Sequence, residues 1–220
     1  MPYPQPSSVR LFRLISRPLV RFIMSVGCHI NLKGMENIPP YGPYIVVMNH
    51  LETYDPPMLA VFWPYPLEGI AAADQFGVFF IGHLLRGYGA IPVRRGEYDR
   101  DALVKALAVL AAGSPLGIAP EGGRTHQPGM RQAKSGVAYL AFKAKVPLVP
   151  VGIIGTETLM PAWKRLQRPS LSLTVGRPFR LPDELLSREN RHAQLEAHTT
   201  FIMQRVAELL PPEYRGVYAN

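Results

Sequence analysis

The sequence predicts a single-domain α/β protein: a mixed, mostly parallel sheet covered by helices, with an amphipathic helical segment at the N-terminus. Three observations lead there. Short apolar runs that read as strands alternate with helical patterns of roughly ten to fifteen residues. The run 147–155 is apolar on both faces, which calls for a sheet covered on both sides. Polar, chemistry-bearing residues collect where two of the strands end, and open α/β sheets bind ligands outside such ends. A chain of 220 residues supports one domain with a sizeable core. The expected division is residues 1–30 as a helical segment and 31–220 as the domain.

The elements follow in order. Residues 1–8 read as a loose tail. From 8 to 30 the apolar residues Leu11, Phe12, Ile15, Leu19, Phe22, Ile23 and Val26 oppose four arginines, Arg10, Arg13, Arg17 and Arg21. At 100° per residue the arginines project within roughly 80° of one another. Pro18 kinks this helix or divides it in two. A narrow basic stripe with a broad apolar face suits the plane of an anionic membrane, whereas the plainer alternative is a surface helix docked on the core.

Residues 32–38 lead through Gly34 into a proline-rich turn, and 44–48 form the first buried strand. A short helix over 58–63 stops at Pro64 and Pro66. Residues 69–73 read as a strand and 75–85 as an apolar, aromatic helix, part of the core or lining of an apolar tunnel. The stretch 87–96 reads as an edge strand that delivers Arg94 and Arg95 to a rim. Residues 101–112 form an amphipathic helix ended by Gly113. Residues 116–119 form a short buried strand, 132–145 a helix, 171–175 a further strand and 189–210 a closing helix. No internal repeat is present.

Composition narrows the function classes. The single cysteine, Cys28, excludes an internal disulfide and a cysteine-rich metal site. No run approaches the ~18 uncharged residues that a bilayer-spanning helix needs. Arginines interrupt the only N-terminal apolar region, which argues against a secretory leader. The net charge of +8 calls for an anionic partner. Aromatics are not interleaved with the basic residues and no reading motif occurs, so nucleic acid is not the expected partner.

The candidate site begins at Asn49-His50-Leu51-Glu52-Thr53-Tyr54-Asp55-Pro56. A histidine at the end of a buried strand precedes a carboxylate that opens a helix ahead of proline. Within a loop the carboxylate can fold back on the imidazole, fix its tautomer and leave the other nitrogen as a base. Taken alone, the pair reads equally as a helix cap beside a polar loop residue. Arg94 and Arg95 suit phosphate recognition, since each guanidinium offers a fork of donors. Pro120-Glu121-Gly122-Gly123-Arg124 again emerges where a strand ends, with glycines that let backbone N–H groups approach a ligand. Together these loops describe chemistry on a phosphate-bearing molecule. No GxSxG, SxxK or nucleophilic cysteine context occurs, so the histidine activates a substrate hydroxyl directly.

In order and spacing the four segments resemble the motifs of the glycerolipid acyltransferases, the family that contains 1-acyl-glycerol-3-phosphate acyltransferase. Asn49-His50 through Asp55 matches the NHx4D motif, and residues 89–95 match the second. Pro120-Glu121-Gly122 with Arg124 matches the third, and 146–150 the proline-bearing fourth. The resemblance covers roughly residues 30–180. It implies transfer of a fatty acyl chain from acyl-CoA or acyl-carrier protein to a hydroxyl of a lysophospholipid, 1-acyl-glycerol-3-phosphate first, in phospholipid biosynthesis. It assigns His50 and Asp55 to catalysis and Arg94, Glu121, Gly122 and Arg124 to the acceptor phosphate, with Arg95 a further candidate. Pro150 would shape the acyl pocket. It implies no metal, no bound cofactor, and a peripheral place on the cytoplasmic face of a membrane. Glycerol 3-phosphate or a lyso-aminolipid is the alternative acceptor, and a non-catalytic membrane-binding module the alternative class. Two departures stand out: Glu52 replaces the usual serine, and Ala119 and Gly123 replace phenylalanine and threonine of the third motif.

Overall fold

A computed structural model describes residues 3–96, 99–182 and 190–219. Among the described residues seven strands form one sheet: β1 (His29–Lys33), β2 (Ile45–Met48), β3 (Glu68–Ala72), β4 (Ile91–Val93), β5 (Leu116–Ile118), β6 (Leu148–Ile154) and β7 (Ser170–Val175). Their spatial order is β1-β7-β6-β2-β5-β3-β4. Every pairing is parallel except β6 with β7. The mixed, mostly parallel α/β sheet read from the sequence is therefore what the chain forms, with an N-terminal helix beside it.

Alternation along β2 explains why the sheet is covered twice. Ile45 and Val47 face a core built with helices α4 (Arg100–Ala111), α5 (Gly136–Ala144) and α7 (Arg191–Ala207). Val46 and Met48 face a second core with α1 (Ser7–Gly27) and α2 (Asp55–Phe62). Two further helices are α3 (Phe79–Tyr88) and α6 (Leu159–Lys164). β2, β5 and β6 lie side by side and parallel, so their carboxyl ends open onto one rim.

Several boundaries differ from the sequence reading. β1 replaces the end of the expected N-terminal helix and part of the loop after it. Its polar alternation at the sheet edge offered no apolar run to recognise. The helix expected over 132–145 begins only at Gly136, because backbone N–H groups before it are committed elsewhere: Lys134 donates to the Pro120 carbonyl and Ala133 to the Tyr218 hydroxyl. The expected 75–85 helix is a 3-10 turn over Ala73–Gly77 followed by α3. The closing helix ends at Ala207, and its expected start at Glu189 lies outside the described residues. The tail is tied down: the Tyr3 N–H donates to Ser114 Oγ and the Gln5 amide to Glu68.

The larger correction concerns the orientation of α1. It runs unbroken through Pro18; Arg13, Arg17 and Arg21 meet the protein, while Arg10 is exposed. Arg13 makes a two-point pair with Glu68, at 2.8 and 2.7 Å, and its Nε donates to the Tyr88 carbonyl. Both side chains of that pair are under a tenth exposed (7% and 6%). Arg17 donates to the carbonyls of Ala60 and Trp63, which α2 leaves open at its end. Arg21 lies over the Phe62 ring. Three of the four arginines of the basic stripe thus fasten the helix to the domain. Leu11, Leu14, Ile15, Leu19, Phe22, Ile23 and Val26 are left facing outward, Leu14 at 73% exposure.

α3 adds to that outward face. It packs on α1 at the β4 edge, where only Gly82 is buried. Phe79, Phe80 and Leu84 are exposed, so these residues neither join the core nor line a tunnel, the two roles expected of them. No helix among the described residues is long and apolar enough to cross a membrane.

Candidate active site

The site is assembled where β2 stops. Asn49 ends the strand by imitating backbone: its amide donates to the Ile153 carbonyl and its oxygen accepts from the Ile153 N–H, both at 2.8 Å. This extends the pairing with β6 by one side chain and turns the chain outward at His50. The next helix, α2, begins at Asp55 with proline following, where a missing N–H costs nothing.

Asp55 is fully buried and gathers four donors. Its Oδ2 lies 2.8 Å from His50 Nδ1 and accepts from the N–H groups of Leu51 and Glu52, each at 2.7 Å. Its Oδ1 accepts from the Thr156 hydroxyl, just beyond β6. Four donors suit an ionised carboxylate, which only accepts. The carboxylate assigns the imidazole proton to Nδ1 and leaves Nε2 as the basic nitrogen. Nε2 has no protein hydrogen bond among the described residues, and the His50 side chain is 18% exposed.

The loop after β5 is zipped to this one. Glu121, buried, accepts from the His50 N–H at 2.9 Å through one oxygen and from the Arg131 N–H at 2.8 Å through the other. The N–H groups of Thr125 and His126 donate to the carbonyls of His50 and Leu51. Burial pushes the Glu121 carboxyl above the usual glutamate range, against the opposing pull of those two N–H groups. Glu121 thus braces the histidine loop through the backbone. Gly122 follows with φ of +66°, a conformation glycine adopts without strain.

Guanidinium groups surround the glycine turn. Arg95 donates to the Gly122 carbonyl at 3.3 Å while holding Asp74 at 2.9 Å. Arg131 donates to the Arg124 carbonyl at 3.1 Å, and Arg124 donates to the Thr53 hydroxyl. A β-carbon at Gly123 would sit 3.4 Å from Arg131 and 3.6 Å from Arg95. Of the two neighbouring arginines, Arg95 is therefore the one that reaches the turn. Arg94 turns to Asp99, which caps α4. Both arginines were candidates on the sequence, and the contact with the Gly122 carbonyl falls to Arg95.

Glu52, standing where serine is usual, accepts from His126 at 2.7 Å. A cavity of about 650 Å³ opens beside the pair, its wall made by Glu52, Thr53, Arg124 and Thr156 near Asp55, and by Met160, Lys164 and Arg165 farther along. His50 itself is not on that wall. Neither is Pro150, which is buried within β6 opposite Val47 and packs against Gly176. Arg131 and Thr156 were not picked out from the sequence. Thr156 carried a signal, since it follows Gly155 at the end of a central strand; the Arg131 backbone contact carried none.

The arrangement is that of a histidine held through Nδ1 by a buried carboxylate, with cationic side chains grouped on the same rim. A family model described as Acyltransferase matches residues 29–154, more than half of the chain. The chain is 27% identical over 193 residues to a 1-acyl-sn-glycerol-3-phosphate acyltransferase of Bacillus subtilis, covering 86% of this chain and 92% of that protein. It is 31% identical over 193 residues to one of Chlamydomonas reinhardtii, covering 85% of this chain and 54% of the relative; it thus spans about half the length of the algal protein. The crystal structure of a 1-acyl-sn-glycerophosphate acyltransferase from Thermotoga maritima shares the fold, with a TM-score of 0.61 at 23% identity over 87% of this chain and 76% of that one. Matching sequence over the whole span from β1 to β6, and the same sheet beneath it, make this chain a member of the acyltransferase family.

Proposed function

We propose that this chain transfers a fatty acyl group from a thioester, acyl-CoA or acyl-carrier protein, to the free hydroxyl of a lysophospholipid, with 1-acyl-glycerol-3-phosphate as the first candidate. The observation that carries this reading is the His50–Asp55 lock, set beside a glycine turn ringed by arginines. His50 Nε2 takes the hydroxyl proton as the acceptor oxygen attacks the thioester carbonyl carbon. The tetrahedral intermediate collapses with cleavage of the carbon–sulfur bond, and the imidazolium returns its proton to the departing thiolate. Asp55 stabilises the imidazolium in between. Arg95, Arg124 and the turn at Gly122 hold the acceptor phosphate, with Arg94 at its margin. The work is done on the cytoplasmic face of a membrane, to which the outward apolar faces of α1 and α3 bind the chain peripherally.

An acyl-transfer assay of the purified protein tests this, pairing each thioester donor with 1-acyl-glycerol-3-phosphate, glycerol 3-phosphate and a lyso-aminolipid. The expected result is fastest acylation of 1-acyl-glycerol-3-phosphate. Preference for another acceptor corrects the substrate, and no transfer to any of them leaves only a membrane-binding module.

Thr156 acts through Asp55. Thr156→Val should leave Asp55 Oδ1 buried without a donor, at a cost of about 1–3 kcal/mol. Turnover is expected to fall roughly tenfold with KM little changed, and Thr156→Ser to restore it. A rise in KM alone would place Thr156 in acceptor binding.

A further inference from the structure

Helix α6 ends in a turn that its own packing does not account for. The Gln167 N–H donates to the Ala162 carbonyl and the Leu166 N–H to that of Trp163, the paired closure in which the next residue swings left-handed. Glycine ordinarily occupies that position, because a β-carbon there crowds the backbone carbonyl. This chain has Leu166, at φ +56°, with its side chain 97% exposed. Among the described residues, no contact offsets the strained backbone. A lone exposed leucine needs no explanation, but this one sits among three cations, Lys164, Arg165 and Arg168, all exposed.

The turn is also fixed in place. Trp163 Nε1 donates to the Gly27 carbonyl at 2.9 Å, and Arg168 donates to the carbonyls of Ser25 and Cys28. It is thereby bolted to the end of α1, the helix whose apolar residues face outward. An apolar tip inside a cationic collar, tied to the end of a helix with an apolar outward face, has the chemistry of a bilayer interface with anionic headgroups. A protein surface would have to supply both an apolar socket and several acids.

We propose that the turn 164–168 is a membrane-inserting tip. Leu166 enters the boundary between headgroups and acyl chains, while Lys164 and Arg165 hold lipid phosphates. Because Lys164 and Arg165 also line the cavity beside His50, insertion turns its mouth toward the bilayer. That last consequence rests on the lipid-acceptor reading above; insertion itself does not.

The full-length chain should be mixed with phosphatidylcholine vesicles, with and without phosphatidylglycerol, some carrying brominated acyl chains. Trp63 is buried, so quenching by bromine reports Trp163, with Trp163→Phe as the control. Quenching of the wild type and about tenfold weaker partition of Leu166→Asp are expected. Leu166→Gly should also partition more weakly while melting at a higher temperature, a divergence that a merely structural leucine would not give. Lys164→Glu with Arg165→Glu should abolish the preference for phosphatidylglycerol. Turnover of a short-chain, water-soluble acceptor should be unchanged by either Leu166 variant, so a failure of acyl transfer is read separately from a failure of insertion. Unquenched Trp163 with unchanged partition of Leu166→Asp would overturn the proposal. So would a Leu166 variant that changes sedimentation instead of vesicle binding, since the tip would then meet a second copy of the chain.

Discussion

Replacing His50 by alanine should lower acyl transfer by ~10²–10⁴-fold, the usual contribution of a positioned base, while leaving the fold in place. The argument for an intact fold is local. Removing the imidazole takes one donor from Asp55, but the N–H groups of Leu51 and Glu52 and the Thr156 hydroxyl still hold that carboxylate. The His50 backbone contributes through its own N–H to Glu121, which alanine retains. Turnover of the purified variant, with its melting temperature beside it, decides the matter. Near-wild-type turnover in a folded protein would remove His50 from the chemistry. Asp55 is a poorer target, because its loss would orphan two backbone donors as well as the imidazole.

Arg13→Ala carries the largest expected cost in stability. The guanidinium is the two-point partner of Glu68, a carboxylate at the start of β3 that is itself nearly excluded from solvent. Cutting one member from a buried pair leaves the other charge uncompensated, typically at about 3–5 kcal/mol. Urea unfolding should show that loss for Arg13→Ala. The double change Arg13→Met with Glu68→Met should recover most of it, because an apolar pair of similar volume leaves no charge stranded. A loss below about 1 kcal/mol for Arg13→Ala would mean that water reaches the pair. The same geometry warns against deleting residues 1–30 as a probe of membrane binding, since the truncation strips Glu68 of its partner and mixes unfolding with lost docking.

Most of the central sheet was legible because β2, β5 and β6 are runs of β-branched and apolar residues flanked by glycine and proline, and that pattern has few other solutions. β1 was not, because an edge strand with polar alternation resembles a loop. The His50–Asp55 pair was legible as residue types at a strand end and a helix start, and in its family motif. The direction of α1 was not legible. Periodicity shows that arginines and apolar residues occupy opposite faces, but not which face the domain takes. That choice depended on Glu68 and on the open carbonyls of Ala60 and Trp63, which lie far along the chain. Which of Arg94 and Arg95 touches the Gly122 carbonyl was hidden for a similar reason. Adjacent residues leaving a strand point apart, and only Asp99 and the Gly122 carbonyl show which goes where.

The inverted packing of α1 has a practical side. Leu14 and Phe22 take no part in holding the helix to the sheet, so polar side chains there should be tolerated by the domain. A version repainted at these positions should stay dispersed without detergent and give a handle for crystals or solution spectroscopy.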